Sequence, residues 1–467
     1  MSKILLIKAQ QLDLPYKHVT QPLGIMYIAS FLRKEDKHDV SIIDMAAEDL
    51  SVEEICKEIE KSAPQYVGLS VLTVEGPAIS QIANKIKKIS TEITFIAGGP
   101  HASSNPESIL SDKNVDYLVL GEGEETMKEL IEALDEGKSI DQVRGIAYRK
   151  NGETTCTPSR PFIDDLDTLP FPAWDLINLE KYFNLPTFNI IYASKKYMSI
   201  FTSRGCPYHC TYCHNIFGKN FRVRTPENVF QEIEYLYRTY GIKEFQIVDD
   251  TFNVKMERAK KICDLIIKSD LKIFLTFPNG VRGDIMDEEL LLKLRQAGTY
   301  KITYAIETGS SRLQKLIRKN INLPKLQDTI TNTNKLDILT HGFFMGGFPT
   351  ETKDELQLTI DFAKRSKLNT LGFHVLTPFP GTEIYNQFHE MDKSGISDKH
   401  LDYTNVACNL SEFTSEELLS YIRKLYFAFY FDARRIINTF KLIPNKKQLW
   451  GLFKLFFSRL NMYSISN

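Results

Sequence analysis

The 467-residue chain has no apolar run approaching the roughly 18 to 20 residues a membrane-spanning helix needs. It has no excess charge of either sign, because 58 Lys and Arg face 59 Asp and Glu. That near-cancellation leaves no electrostatic footprint for nucleic acid, and no basic tail occurs before residue 400. The first apolar run, Ile4-Leu5-Leu6-Ile7 between Lys3 and Lys8, is too short and wrongly flanked for a secretory signal. Cysteine is scarce as well. Of seven, an odd number, Cys56, Cys156, Cys263 and Cys408 follow no regular spacing, which argues against a disulfide framework and for a reduced, cytoplasmic protein.

The other three cysteines are not scattered. Residues 203–215 read Ser-Arg-Gly-Cys-Pro-Tyr-His-Cys-Thr-Tyr-Cys-His-Asn, which puts Cys206, Cys210 and Cys213 in one loop after the apolar run 198–202. A cubane iron-sulfur cluster takes four thiolates, so a loop offering three leaves one iron open to another ligand. A zinc site completed by His209 or His214 meets the same ligand count, although structural zinc usually draws on separated Cys-x2-Cys pairs.

Residues 2–148 alternate β-branched runs with helical patterns, the signature of parallel βαβ units. Strands are expected at 4–8, 40–43, 66–69, 94–97 and 117–120, with amphipathic segments near 23–34, 52–61, 77–89 and 124–134. This describes an α/β, doubly wound, Rossmann-like parallel sheet of five strands. Ligands of such sheets bind beyond the carboxyl ends of the strands, here loops 9–21, 72–76, 98–102 and 121–124. Gly98-Gly99-Pro100-His101 and Gly121-Glu122-Gly123-Glu124 place glycines there, either for close approach of a ligand or as ordinary turns. Asn151-Gly152 marks a hairpin over 144–157. The proline-punctuated stretch that follows reads as a linker whose Phe162, Leu166, Phe171 and Trp174 pack on both neighbours.

From 197 to 388 the alternation returns as a partial (β/α)6 barrel of TIM type. Strands are expected at 198–202, 244–248, 272–277, 301–306, 340–345 and 370–376, and helices at 226–240, 255–268, 287–296, 311–318, 352–365 and 382–388. Barrel enzymes keep their chemistry at the carboxyl ends of the strands, where the cysteine loop falls. The same rule selects Asp249 and Asp250 after the second strand, Arg282 after the third, Glu307 after the fourth, and Gly346 in the glycine-rich end of the fifth. A turn or N-cap role fits either aspartate equally. His374, late in the sixth strand, and Tyr304, which shares a face of the fourth with Tyr300, are the catalytic candidates; core packing fits both, as it fits His341. The expected division is 1–150, a linker over 151–195, the barrel over 196–390 and a helical region over 391–467.

Cys206-x3-Cys210-x-Tyr212-Cys213 resembles the signature of the radical S-adenosylmethionine (SAM) enzymes. Pro22-Leu23-Gly24, Gly98-Gly99-Pro100-His101 and Gly121-Glu122-Gly123-Glu124-Glu125-Thr126 together resemble the cobalamin-binding domain that precedes the radical domain in one large subfamily. That group includes the class B methyltransferases and the anaerobic magnesium-protoporphyrin monomethyl ester cyclase. The resemblance covers about residues 1–390. It implies that Cys206, Cys210 and Cys213 hold a 4Fe-4S cluster whose open iron is chelated by the methionyl amino and carboxylate groups of SAM. Tyr212 then lies beside the adenine, and Asp249, Asp250, Arg282, Glu307 and Gly346 complete the SAM site. Leu72, Thr73, Val74, Gly98, Gly99, His101, Gly121, Glu122 and Gly123 are placed around cobalamin. The implied chemistry is one-electron reduction of the sulfonium to a 5'-deoxyadenosyl radical, with electrons from a donor such as flavodoxin or ferredoxin, under anaerobic conditions. Methylation of an unactivated carbon of a small substrate is the leading outcome, an oxidative cyclisation the alternative, and a non-catalytic corrinoid or SAM sensor the third reading. A methylthiotransferase needs three more cysteines upstream, and only Cys56 and Cys156 precede Cys206.

Two departures and a tail complete the expectations. Many cobalamin domains carry Asp-x-His-x-x-Gly after the first strand, whereas residues 9–15 here contain no histidine. The near match Asp36-Lys37-His38 lies before the second strand, so His38 is expected on the surface and cobalt is expected to lack a histidine below it, with Leu72, Thr73 and Val74 covering that face. From Tyr421 onward nine Lys or Arg accompany one acid, Asp432. Leu449, Leu452, Phe453, Phe456 and Leu460 share a helical face opposite Lys447, Lys454 and Ser458, which fits an interfacial helix drawing a lipid-like substrate from a membrane, or a helix docked on the barrel.

Overall fold

The computed structural model describes residues 1–11, 19–34, 37–187, 189–214, 216–390 and 409–448. Residues 12–18 of the loop after the first strand, Asp36, and residues 449–467 with Trp450 and Phe453 lie outside the described residues. The chain divides into two compact units, 1–188 with 215–218, and 189–214 with 219–467.

In the first unit, β1 (Ser2–Lys8), β2 (His38–Asp44), β3 (Tyr66–Ser70), β4 (Thr94–Gly98), β5 (Tyr117–Val119), β6 (Ile146–Lys150) and β7 (Glu153–Cys156) form one sheet in the order β2-β1-β3-β4-β5-β6-β7. The five expected strands are parallel, and the expected hairpin adds two antiparallel strands at the edge. β1 is apolar from Ile4 to Ile7 because a central strand of a doubly wound sheet is covered on both faces. Leu5 and Ile7 join Ile55, Ile59, Ile79 and Ile82 on one face. Ile4 and Leu6, one residue out of phase, join Ile25, Ala29, Leu130 and Ile131 on the other. The helix Val52–Ser62 starts on a capping box of Ser51 and Glu54. The chain leaves β1 for β2 on one side and returns for β3 on the other, so the topological switch point lies at the carboxyl ends of β1 and β3.

His38 corrects the sequence reading. It is buried rather than on the surface, because it pairs in register with Ser2 and so opens β2 inside the sheet. Neither ring nitrogen has a hydrogen-bond partner, and burial lowers its pKa against the nearby Asp135 and Glu132. The linker is integral to this unit: Ala173 N–H donates to Met26 O (3.1 Å), Ile163 N–H donates to the Glu122 carboxylate (2.8 Å), and Leu166 and Trp174 are buried.

The second unit is a six-stranded parallel sheet in the order β15-β14-β13-β12-β11-β8, formed by β8 (Tyr197–Ile200), β11 (Glu244–Ile247), β12 (Phe274–Val281), β13 (Thr299–Glu307), β14 (Leu339–Gly346) and β15 (Thr370–Val375). A short antiparallel pair, β9 (Ser203–Arg204) and β10 (Arg222–Val223), brackets the cysteine loop. Between strands run helices such as Pro226–Tyr240, which starts at the Thr225 cap and ends on left-handed Gly241. One helix, Leu323–Lys335, was not expected. Its core face includes Thr329 and Thr333, so the apolar period is carried partly by threonines and reads as polar. The helices Ser415–Tyr430 and Ala433–Leu442 follow the barrel.

Gly99 has φ 92° and ψ −172°, a region open essentially to glycine alone, and a Cβ there would meet Val71 O at 2.9 Å. Gly121 also has positive φ (75°) but open space around it. Gly99→Ala is therefore expected to destabilise the first unit by about 3 kcal/mol and Gly121→Ala by about 1 kcal/mol, readable as the order of their losses in thermal unfolding.

Candidate functional site

The cysteine loop is fixed before it reaches its first cysteine. Asp249, just beyond β11, is buried and accepts three hydrogen bonds, from Thr202 N–H (2.6 Å), Thr202 Oγ1 (2.5 Å) and Ser203 Oγ (2.6 Å). Burial raises its carboxyl pKa, while these donors and Arg258 favour the carboxylate. Gly205 then turns at φ 84°, and Cys206 Sγ arrives 3.4 Å from Thr251 Oγ1. Further along, Thr211 N–H donates to Ile317 O and Ile384 N–H to Thr211 O, so the loop is held from both sides. Arg318 anchors that side by pairing both guanidinium ends with Glu383 (2.8 and 2.9 Å).

The three thiols are close enough to perturb one another. Burial first, then Cys210, pushes the Cys213 thiol up to about 12, and burial raises Cys210 as well. Binding to a cationic metal centre offsets that cost, since a coordinating thiol is deprotonated outright. Three thiolates in one loop supply the ligands that three irons of a cubane take. The donor set and its spacing fit the cluster.

Around the thiols lie Tyr212, Asp250, Glu307 and Lys319. Tyr212 packs on Leu313, Ile317, Phe348, Leu376 and Ile384, with its ring edge-on to Phe348 (6.5 Å) and its hydroxyl beside Glu307. Glu307 ends β13 in a left-handed conformation (φ 68°), buried and paired with Lys319 at 3.1 Å. Desolvation opposes the Lys319 charge, but Glu307 and the thiols outweigh it and raise its pKa. Asp250 is accessible to solvent yet ringed by protein; desolvation, then Asp249, pushes its pKa up to about 6. Lys319 was not anticipated. Its only signal is a cation in a short segment, and the left-handed Arg318 and Asn320 that turn it inward are non-glycine residues.

The remaining sequence candidates divide by what holds them. Arg282 does pair with a carboxylate, that of Asp284 (3.0 Å), while its guanidinium covers the Tyr208 ring at 4.0 Å and donates to Asn320 O. Gly346 packs inside the unit, where a Cβ would lie 2.9 Å from the Phe373 ring. The next turn is braced by Glu351, unforeseen in sequence, which accepts from Gly347 N–H (2.6 Å) and Phe348 N–H (3.1 Å). Glu351 is fully buried, and desolvation pushes its pKa up to about 7. Tyr304 is a core residue. It is fully buried with its hydroxyl 2.6 Å from Thr333 Oγ1, and so faces the helix Leu323–Lys335. The opposite face of the sheet carries His341, Phe343 and His374: Phe343 stands edge-on to both imidazoles (5.1 and 5.7 Å), and His341 Nδ1 meets Thr370 Oγ1 at 2.7 Å.

In the first unit, the loop after β3 places Leu72 at 44 % exposure beside the switch point. The loop is locked by Glu75, which accepts from Leu72 N–H (2.8 Å) and pairs with Lys8. Thr73 is buried, Val74 half-buried, and His101 is buried with Nε2 2.7 Å from where a Cβ on Gly76 would sit. Gly98 and Gly99 pack against Val119 and Val71, and Gly123 lets Ile28 close on its helix. Gly121 alone of these opens to free space, and Glu122 is engaged with Ile163. An exposed leucine and an open glycine at the carboxyl edge fit a broad, largely apolar ligand such as a corrin ring.

Family models match both units: the B12 binding domain over residues 13–131 and the radical SAM superfamily over residues 200–363. An uncharacterised methyltransferase of Pyrococcus horikoshii is 33% identical over 89% of this chain and 89% of its own. The cytidylyl-2-hydroxyethylphosphonate methyltransferase of Streptomyces wedmorensis is 31% identical over 80% of this chain and 78% of its own. The chain is a cobalamin-binding radical SAM enzyme. Its cofactors are a 4Fe-4S cluster, SAM and cobalamin. The solved cobalamin-dependent radical SAM enzyme OxsB shares the fold, with a TM-score of 0.75 at 18% identity over 99% of this chain and 76% of that one.

For this radical SAM enzyme, Asp249→Asn turns one acceptor into a donor facing donors. It is expected to cost about 2 to 3 kcal/mol and to lower iron per chain after anaerobic reconstitution. Glu351 is protonated in the fold up to about pH 7 but ionises above about 4.5 when unfolded, so its contribution to stability falls as pH rises through that window. Glu351→Gln is expected to match the wild type at pH 4.5 and to gain on it by roughly 1.4 kcal/mol per pH unit up to pH 7, seen as diverging melting temperatures.

Proposed function

We propose that the enzyme transfers a methyl group to an unactivated carbon of a small substrate held against the face of the barrel sheet that carries His341, Phe343 and His374. The observation that carries this reading is the three-thiol loop at the strand ends of one unit of a chain whose other unit is a B12 domain. Two relatives above 30% identity that are named methyltransferases support it. When bound, the cluster supplies the electron that cleaves SAM, and cobalamin carries the methyl group. The chain's own part is positional. Asp249 sets the cysteine loop, Glu307 presents an acceptor suited to the ribose hydroxyls, and Lys319 pairs with that carboxylate. Tyr212, backed by Phe348 and Leu313, offers a flat surface for adenine.

On the substrate side, Phe343 supplies an apolar surface and the two imidazoles flank it with polar edges. A Cβ on residue 372 would stand 3.3 Å from His374 Nε2 and 3.5 Å from His341 Nε2, so Gly372 preserves the space in which both rings sit. A carbon flanked by a polar handle suits this face, with the handle bound by His374.

The reaction is tested by product mass. Methylation adds one CH2 to the substrate and consumes two SAM per turnover, whereas loss of hydrogens would contradict it and favour cyclisation. Cys206→Ala, Cys210→Ala and Cys213→Ala are each expected to abolish both SAM cleavage and product. His374→Ala is expected to leave SAM cleavage intact while raising the substrate KM about tenfold, the scale of one lost hydrogen bond of about 1.4 kcal/mol.

A further inference from the structure

The helix Ala433–Leu442 is built inside out. The side that packs on its own unit is polar: Arg435 is buried over the Phe429 ring at 3.7 Å and donates to the Lys364, Ser366 and Leu368 carbonyls. Asn438 Nδ2 donates to Asn334 Oδ1 (2.5 Å), and Thr439 Oγ1 donates to Asn369 O (3.2 Å). The solvent side is apolar, with Ile436, Ile437 (57 %) and Phe440 (48 %) exposed. A surface helix of a soluble protein normally shows the reverse. The end of the preceding helix, Ser415–Tyr430, extends the patch with exposed Phe427, stacked on Phe431 at 5.5 Å, and Phe431 itself is 72 % exposed. Single exposed apolar residues need no account; five across two successive helices and the turn between them do.

The charge around them has one sign. Arg423, Lys424, Arg434, Lys441, Lys446 and Lys447 are all exposed. The one acid of this stretch, Asp432, is engaged as the cap of the helix, accepting from Arg434 N–H (2.9 Å) and Arg435 N–H (3.1 Å). On a chain whose charges almost cancel as a whole, this is a local concentration of cations beside bulky apolar side chains. That pairing suits the boundary between headgroups and acyl chains of an anionic bilayer. A shaped protein partner would be met by charges of both signs to fix its register, and no acid here is left for that purpose.

We propose that the face formed by Phe427, Phe431, Ile436, Ile437 and Phe440 with its basic rim is a docking surface for anionic lipid membranes. It holds the enzyme at the bilayer surface without crossing it, as no described helix is long and apolar enough to span one. The site rests on described helices and not on residues 449–467.

The test uses the full-length reconstituted enzyme in cosedimentation with vesicles of phosphatidylcholine alone or with a third of phosphatidylglycerol. Binding is expected only to the anionic vesicles and is expected to weaken severalfold on raising salt from 50 to 500 mM. Arg434→Glu with Lys441→Glu is expected to cut it at least twentyfold, at roughly fivefold per removed cation. Phe431→Ser with Ile437→Asn is expected to abolish it while SAM cleavage and melting temperature stay unchanged, and deletion of 449–467 is expected to leave it in place. Absence of binding by the intact enzyme, binding lost with the 449–467 deletion alone, or binding that appears only after that deletion would each overturn the proposal. So would a wild type that elutes as a dimer and becomes monomeric in the Phe431/Ile437 variant without vesicle binding.

Discussion

The grip of one buried carboxylate on two residues of another strand's end is the constraint on which the site depends. Asp249 takes the amide and hydroxyl of Thr202 and the hydroxyl of Ser203, three residues before Cys206. A loop of eight residues carrying three thiols has no regular structure of its own, and burial, then the neighbouring Cys210, penalises the Cys213 thiolate when no cation is present. The loop therefore has to be held by its ends. Asp249 fixes the start, Thr211 donates its N–H to Ile317 O and accepts from Ile384 N–H on the far side, and Arg282 lies across Tyr208 in the middle. Three hydrogen bonds converge on this one buried carboxyl group and hold the start of the loop.

The same economy of placement appears at the fourth and fifth strand ends. Glu307 adopts a left-handed backbone so that its carboxylate meets Lys319 and the Tyr212 hydroxyl. Glu351 braces the Gly347 turn through two amides. Two buried carboxyl groups, one paired with a lysine and one driven toward the neutral form by burial, give this end of the barrel both an acceptor and a rigid wall. In the first unit the corresponding device is the Glu75 lock on the loop that presents Leu72. It presents an apolar side chain at the carboxyl edge of the sheet.

Much of this was legible in the sequence, and what was not has identifiable causes. Strands and helices appeared where apolar periods were strong, as in Ile4 to Ile7 and in Pro226–Tyr240 with its threonine cap. The helix Leu323–Lys335 was hidden because Thr329 and Thr333 fill core positions that the pattern reads as polar. His38 looked exposed because charges flank it, whereas its partner in register, Ser2, is far away in sequence. The cysteine triad stood out in the sequence because its three members lie within eight residues. Lys319, Glu351 and the Asp249 clamp were not, since each acquires its role from partners on other strand ends, and the same distance kept Tyr304, bonded to Thr333, from being set aside as core.

The central claim is that Cys206, Cys210 and Cys213 hold a cubane whose fourth iron is open to SAM. Its most direct test is the electron paramagnetic resonance spectrum of the anaerobically reconstituted, reduced enzyme, recorded with and without SAM. The account predicts a reduced 4Fe-4S signal whose g values shift on adding SAM, because the methionyl group binds the open iron. A spectrum unchanged by SAM, or a fully loaded protein that contains zinc and shows no such signal, would contradict it.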